Sequence, residues 1–280
     1  MVEKLQLTLR DSAAVRWTAL LFLAFAMFCS YIFMDILSPI KDLMQSELGW
    51  NSTAFGTMQG SETFLNVFIF FLIFAGIILD KMGVRFTAVL SGVVMLVGAS
   101  INWYAVTKGF QETALAAWFN DHLNFDELGI SPFYKGMPAS AKFASVGFMI
   151  FGCGVEMAGI TVSRGIVKWF KGREMALAMG SEMALARLGV ATCMIFSPMF
   201  ARLGGQIDVS RSVAFGVILL MIALIMFIVY FFMDRKLDAQ TGEAEESDEP
   251  FKIRDIGKIL SSSGFWLVAL LCVLYYVAYR

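Results

Sequence analysis

Residues 54–106 read AFGTMQGSETFLNVFIFFLIFAGIILDKMGVRFTAVLSGVVMLVGASINWYAV, which is two apolar runs on either side of a short charged segment at 80–85. Each run supplies the ~20 residues that a helix needs to cross the ~30 Å hydrocarbon core of a bilayer. Unpaired backbone groups are too costly in hydrocarbon for open strands, so such runs must be helices. The stretch therefore predicts two membrane-spanning helices joined by a very tight loop.

The composition is that of a membrane protein. Hydrophobic residues make up 58% of the 280 residues and charged residues 16%, whereas soluble domains average roughly 45–50% and 25%. The formal net charge is −1, which gives no indication of nucleic acid or of a strongly acidic partner. The excess apolar surface predicts the lipid bilayer as a partner of this chain.

Reactive side chains are sparse. Four cysteines lie in apolar runs without C-x-x-C spacing, and the only histidine, His122, lies in a polar loop. These patterns predict no disulfide framework, no metal and no other cofactor. The sequence also lacks a Ser/His/Asp or Cys/His set and a glycine-rich phosphate loop, so no enzyme is predicted.

Seven segments are long and apolar enough to span a membrane. They cover approximately residues 15–39, 54–79, 86–106, 141–167, 175–203, 213–233 and 264–279. The first run continues to spanning length, which indicates a retained helix rather than a cleaved signal peptide. Lys and Arg are concentrated in the segments that are cytoplasmic if the N-terminus is inside, so this orientation is predicted.

A long polar stretch separates the sixth predicted span from the seventh. It contains the acidic run 243–249, and such runs are solvated rather than packed into a core. The sequence thus predicts a six-helix transmembrane bundle at 1–233, a cytoplasmic acidic linker at 234–263 and the first helix of an incomplete second bundle at 264–280. The C-terminal half of the protein is expected to be a missing partner of this bundle.

The segment GIILDKMGVR, which begins at Gly76, resembles the loop signature G-x-x-x-D-(R/K)-x-G-x-R of the major facilitator superfamily. Gly76 lets helices approach, and Gly83 permits the tight turn. Asp80 can pair with cations at the helix ends, where Arg85 and Arg164 are available. The resemblance implies that these residues form a conformational latch against the second half of a carrier. It also implies the fold class: an all-α integral membrane protein with the fold of this superfamily, here a six-helix bundle plus a truncated seventh transmembrane helix.

A second motif, KWFKGRE at 168–174 followed by ARLG at 186–189, is similar to the group of this superfamily that contains the lysosomal dipeptide carriers. Tyr31, Asp35 and the segment GCGVE that ends at Glu156 also fit that group. The resemblance covers approximately residues 31–187 and implies transport by alternating access between two six-helix bundles. The W-F-x-G part is shared with organic-anion carriers, so the motif leaves the substrate open.

Ionisable residues at bilayer depth are costly and indicate function by default. Five of them stand well inside predicted spans: Asp35, Glu62, Glu156, Glu182 and Arg187. Tyr31, Asp35 and Ser38 are spaced i, i+4, i+7, which predicts one shared face of the first helix, directed into a polar cavity.

Glu156 and Arg187 have two interpretations. They could pair with each other and join their helices, or each could hold one end of a zwitterion. The resemblance implies the second, with Glu156 on the amino group of a dipeptide and Arg187 on its carboxylate, which suits the planar fork of a guanidinium.

The remaining intramembrane carboxylates also have two interpretations each. Glu62 is a candidate residue of the cavity or a polar clamp between helices. Glu182 joins helices by hydrogen bonds or takes part in proton coupling, for which Asp35 is a second candidate.

The sequence thus favours a secondary active or facilitative carrier of small solutes, most simply of dipeptides or similar zwitterions. The alternatives are an organic-anion carrier and a half-carrier that acts as a binding or assembly module. A bacterial inner membrane is the predicted location, with a lysosomal membrane as the alternative. The substrate, the direction of flux and the coupling to protons are left open.

Overall fold

The computed structural model describes residues 8–123, 133–241 and 253–279, and every regular element within these ranges is helical. The α-helices are α1 (Ala13–Met34), α2 (Lys41–Leu48), α3 (Ser52–Gly60), α4 (Phe64–Phe68), α5 (Phe71–Ala105), α6 (Ala114–His122), α7 (Ala139–Trp169), α8 (Met175–Ala201), α9 (Val209–Thr241), α10 (Ile253–Leu260) and α11 (Ser263–Tyr279). Among the described residues, five helical stretches are long and apolar enough to cross a membrane: Ala13–Leu48, Phe71–Ala105, Ala139–Trp169, Met175–Gly205 and Val209–Thr241. The protein is therefore an all-α, multi-pass membrane protein, as the sequence predicts.

The first span is interrupted near its end. Helix α1 stops at Met34, and the chain turns before a 3-10 helix at Ser38–Ile40 and α2. Pro39 accounts for the break, because proline has no N–H to donate to the Asp35 carbonyl four residues earlier and its ring clashes with that carbonyl in an α-helix.

Carbonyl groups freed by this break are capped by side chains from other spans. Gln59 Nε2 donates to the Met34 oxygen at 3.0 Å, Cys193 Sγ to the Asp35 oxygen at 3.1 Å and Ser197 Oγ to the Ile36 oxygen at 2.5 Å. Irregular backbone at membrane depth is tolerated only when its polar groups are satisfied in this way.

The second predicted span is also broken. It consists of α3, a 3-10 turn at Ser61–Thr63, α4 and the start of α5. Between α4 and α5, Phe70 has a φ of 54° and lies in the left-handed region, which non-glycine residues rarely adopt. The sequence predicts a single continuous helix over 54–79, and the structure differs from this prediction. Residues 54–79 contain no proline from which the break could be predicted.

Helix α5 contains two passes, because the chain reverses at Gly83, where φ is 78° and ψ is 169°. Before Gly83, the chain runs parallel to α7: Ser61 Oγ lies 3.1 Å from the Ser145 oxygen, and Asp80 pairs with Arg164. After Gly83 it runs antiparallel to α7, with Asn102 Nδ2 at 3.4 Å from the Ala144 oxygen. The reversal separates the two spans that the sequence predicts on either side of 80–85.

Helix α7 lies at the centre of the bundle, where small residues permit close helix crossings. A Cβ atom added at Gly98 would overlap the backbone of Gly147 and Phe151, and one at Gly152 would overlap the carbonyl oxygen of Glu62. Contacts between backbones are the expected role of glycine in membrane helix packing, where water-driven hydrophobic association is lacking.

The described part of the long loop after the third span packs into a small aromatic cap. The rings of Phe110 and Phe143 stack with centroids 5.1 Å apart, and Phe119 packs edge-on against Phe143 at 5.3 Å. Lys142, which is 1% exposed, donates from Nζ to the Phe119 oxygen at 3.3 Å. The cap lies at the opposite end of α7 from Arg164.

Helices α10 and α11 belong to a second compact unit. Within it, Trp266 Nε1 donates to the Leu260 oxygen at 2.9 Å across the turn between the two helices. Helix α9 continues to Thr241, eight residues beyond the predicted end of the sixth span, and α10 is helical within the stretch predicted as linker. The acidic run 243–249 lies outside the described residues, and the division into bundle, linker and further helix stays a prediction.

Candidate functional site

Charged side chains gather at one end of the bundle, here called the charged end and defined by Asp80, Arg85, Arg164, Lys168 and Asp234. Arg164 of α7 forms an ion pair with Asp80. Arg85 instead reaches α9, with its Nη1 at 3.2 Å from Asp238 and its Nε at 4.0 Å from Asp234. The two cations that the loop signature offers to Asp80 therefore have different partners.

Asp234 is the centre of the charged end and is completely buried. It accepts from Lys168 Nζ at 2.6 Å, from Trp169 Nε1 at 2.8 Å and from Tyr230 OH at 3.3 Å. Lys168 also lies 2.7 Å from Asp238. Because a buried charge needs such partners, Lys168 and Trp169 of the second motif fix α7 to α9.

The sequence analysis does not predict a role for Asp234 and Asp238, because the predicted sixth span ends at Met233. The signal that could have found them is the four-residue spacing of Tyr230, Asp234 and Asp238, which places all three on one helix face.

The rest of the second motif binds the N-terminal segment. Gly172 forms the turn with a φ of 74°, and Arg173 pairs with Asp11. Arg16 of α1, 3% exposed, donates to Glu174 at 2.9 Å and lies 5.4 Å from the ring centroid of Phe170. The motif thus organises the turn between α7 and α8.

Asp11 lies outside the spans and has a lowered pKa. The main cause is the hydrogen bond from the backbone of Thr8, followed by the bond from its hydroxyl, and Arg173 and Arg10 lower the pKa further by charge. This carboxyl group therefore stays ionised beside Arg173.

Within the membrane, Arg187 of α8 stands over the ring of Tyr31 of α1, with 5.4 Å between the guanidinium carbon and the ring centroid. The close approach of the two helices depends on Gly189, where an added Cβ would lie 2.5 Å from the Phe28 oxygen and 3.3 Å from Tyr31 Cβ. Such cation–π contacts stabilise a guanidinium without neutralising its charge.

Glu156 lies at nearly the same depth as Tyr31. Phe33 packs against Phe151 with ring centroids 4.7 Å apart, and Leu23 lies against Gly165, so α1 and α7 are antiparallel. Glu156 falls between these two contacts, within about one 5.4 Å turn of the level of Tyr31. The chain thus holds a carboxylate and a guanidinium at one level of the bundle.

Glu156 and Arg187 do not form an ion pair within the described part of the chain. Glu156 is half-buried and Arg187 is exposed in the bundle. Of the two interpretations from sequence, the direct pair that joins helices is not made in this conformation.

Asp35 and Ser38 lie close together, but not because they share a face of one continuous α-helix. Ser38 Oγ lies 3.4 Å from Asp35 Oδ1. The i, i+4, i+7 argument fails beyond Met34, because α1 ends there and the chain turns. Only Tyr31 and the residues before Asp35 follow the α-helical period.

Polar residues of the second span lie against α7. Glu62 is 7% exposed, and its backbone rests on Gly152. The side-chain oxygen of Gln59 and both amide atoms of Asn66 are buried and, among the described residues, have no hydrogen-bond partner. Buried side-chain atoms without a hydrogen-bond partner are uncommon in folded proteins, so the second span carries unusual polarity at this level.

A family comparison identifies the class of this protein. The model of the Major Facilitator Superfamily matches residues 23–279. The chain belongs to this superfamily of membrane transporters, and the fold class and the resemblance stated from sequence are confirmed.

Within the superfamily, the chain is similar to curated proteins of one kind, the lysosomal dipeptide transporters. The chain is 25% identical over 272 residues to the lysosomal dipeptide transporter MFSD1 of Danio rerio, covering 94% of this chain and 52% of that protein. It is 24% identical over 274 residues to the same transporter of Homo sapiens, with coverages of 95% and 52%. The chain thus spans about half the length of the curated relatives it matches. No solved structure matches it.

Proposed function

We propose that this chain forms the N-terminal half of an alternating-access carrier for dipeptides or similar zwitterions. The observation that supports the proposal is the presence of Glu156 and Arg187 at one level of the bundle without a direct ion pair between them. A zwitterion with one free amino group and one free carboxylate complements such a pair of charges. The relatives are named as dipeptide transporters, which supports the same substrate class.

In this proposal each side chain has one task. The guanidinium fork of Arg187, held over Tyr31, binds the substrate carboxylate in bidentate fashion. Glu156 binds the substrate amino group. Glu62 and Asp35 line the polar space at the ends of their broken helices, where unwound backbone is a common feature of carrier sites.

The charged end supplies the latch. Asp80 and Arg164 form the ion pair, Gly83 makes the reversal and Arg85 holds α9. A Cβ atom added at Gly76 would meet nothing within 4 Å. This open surface suits the approach of a second helical bundle, as the proposed latch requires.

Uptake by variants of the native gene product tests the site. Glu156→Gln and Arg187→Ala are each expected to lower dipeptide uptake at least about tenfold, because each removes a charge-assisted hydrogen bond worth about 1.5–3 kcal/mol. Arg202→Ala, at the exposed end of α8, is the control and should transport normally. Normal uptake by both site variants would overturn the assignment, and a loss in Arg187→Ala alone would favour the organic-anion carrier.

The location of the carrier is a separate proposal. The name of the relatives supports a lysosomal membrane, and the sequence favours a bacterial inner membrane. Cell fractionation with markers for each membrane distinguishes the two.

A further inference from the structure

Glu182 lies on the buried stripe of α8. The stripe consists of residues three or four positions apart, which share one helix face: Ala178, Glu182, Ala186, Gly189, Cys193 and Ser197. Gly189 contacts α1, and Cys193 and Ser197 cap the turn that follows α1. Glu182 therefore faces α1, about two helical turns from Gly189 toward the charged end.

The carboxyl group of Glu182 is isolated. The residue is 8% exposed, and one turn away on either side the stripe holds Ala178 and Ala186, which carry no polar side-chain atoms. Within the described ranges, no hydrogen bond or ion pair reaches Glu182. By contrast, the similarly buried Arg16 and Asp234 have ionic partners at 2.9 Å and 2.6 Å.

Several charged groups on the neighbouring elements pair with residues other than Glu182. The titratable and charged groups of the spans that pack against α8 are Arg16, Cys29 and Tyr31 on α1, Lys142, Cys153, Glu156, Arg164 and Lys168 on α7, and Arg211, Tyr230, Asp234, Arg235, Lys236 and Asp238 on α9. Arg16 pairs with Glu174 and Arg164 with Asp80. On α8 itself, Arg187 is about 140° around the helix from Glu182 by the 3.6-residue period.

An ionised carboxylate in such a place is unfavourable. Burying a charge without a partner costs several kcal/mol, whereas the neutral acid loses only the hydration of a polar group. Intramembrane carboxyl groups of this kind mark proton pathways in transporters.

We propose that Glu182 is a proton-binding site of the carrier. In the present conformation, its carboxylate has taken a proton from water and is a neutral acid between α1 and α8. When these helices separate and water enters, the acid returns the proton to water. The coupling of this step to dipeptide movement rests on the proposed function, but the protonation of Glu182 does not.

Infrared spectroscopy of the purified protein in lipid at neutral pH tests the protonation. Glu182→Gln keeps the shape and neutrality of the side chain and is expected to fold, with loss of one protonated-carboxyl C=O band. Glu174→Gln is the matched control on the same helix end and should lose only carboxylate absorption, because Glu174 is half-exposed and paired with Arg16. An unchanged protonated-carboxyl region in folded Glu182→Gln would overturn the site.

The pH dependence of uptake tests the coupling. In vesicles holding the native gene product, an inward proton gradient should accelerate dipeptide uptake, and Glu182→Gln should abolish this acceleration while uptake without a gradient continues. The same acceleration in Glu182→Gln would refute the coupling. If the wild type moved no dipeptide, the proposed function would fail, and the infrared result would still decide whether Glu182 carries a proton.

Discussion

Replacement of Gly152 by alanine is expected to destabilise the bundle by at least about 3 kcal/mol, the upper end of the usual cost of overpacking. The added Cβ would overlap the carbonyl oxygen of Glu62 and would lie 2.9 Å from Glu62 Cγ. The overlapping oxygen belongs to backbone, so a rotamer change cannot relieve it. The loss of stability is measured by thermal unfolding in detergent, with the fraction of monodisperse protein recorded at each temperature.

Gly159→Ala is the matched control for this experiment. Gly159 lies two turns further along the same helix, and a Cβ atom added there meets nothing within 4 Å. Alanine is also the better helix former, so this variant should be as stable as the wild type or slightly more stable. Equal unfolding temperatures for the two variants would contradict the close packing of Glu62 on α7.

Replacement of Asp234 by alanine is expected to destabilise the charged end by about 3–5 kcal/mol, the usual cost of removing one partner of a buried ion pair. The carboxylate is completely buried and accepts hydrogen bonds from Lys168, Trp169 and Tyr230. Its removal leaves the Lys168 ammonium and the Trp169 N–H without their acceptor. The contacts of α7 with α9 at this end should open first, and protease sites there should become accessible.

Asp208→Ala is the control for a carboxylate in an exposed pair. Its salt bridge to Arg211 spans 3.8 Å, and both side chains are more than a quarter exposed. Asp208 also accepts from the backbone N–H and hydroxyl of Ser210 at the start of α9. Loss of such a cap and of an exposed pair costs about 0.5–2 kcal/mol, less than the loss expected for Asp234→Ala. If both aspartate variants unfolded at the temperature of the wild type, the central role of Asp234 at the charged end would be wrong.

The spans and the tight loop could be predicted from the sequence, because both depend on local features. Long apolar runs must be helical in lipid, and the reversal occurs at Gly83, where glycine adopts a positive φ without strain. The position of the break after α1 was also signalled by Pro39. The groups that stabilise this break, Gln59, Cys193 and Ser197, come from distant parts of the chain and carry no local signal.

The candidate site could be predicted only in part, because the contacts of its residues depend on distant parts of the chain. The cost of charges in lipid singles out Glu156, Glu182 and Arg187 from the sequence alone. Their partners depend on helix rotation and register, which hydropathy does not determine. The contact of Arg187 with Tyr31 and the isolation of Glu182 therefore emerge only from the packing of α8 on α1.

The most direct test of the central claim is a competition experiment on dipeptide uptake by the native gene product. The proposed site requires both ends of the substrate, with the carboxylate on Arg187 and the amino group on Glu156. It predicts that an unmodified dipeptide competes with a labelled dipeptide, whereas the N-acetylated and C-amidated forms and a simple monocarboxylate compete at least about tenfold more weakly, each having lost one charge-assisted contact. Equal competition by the N-acetylated form or by the monocarboxylate would contradict recognition of a zwitterion.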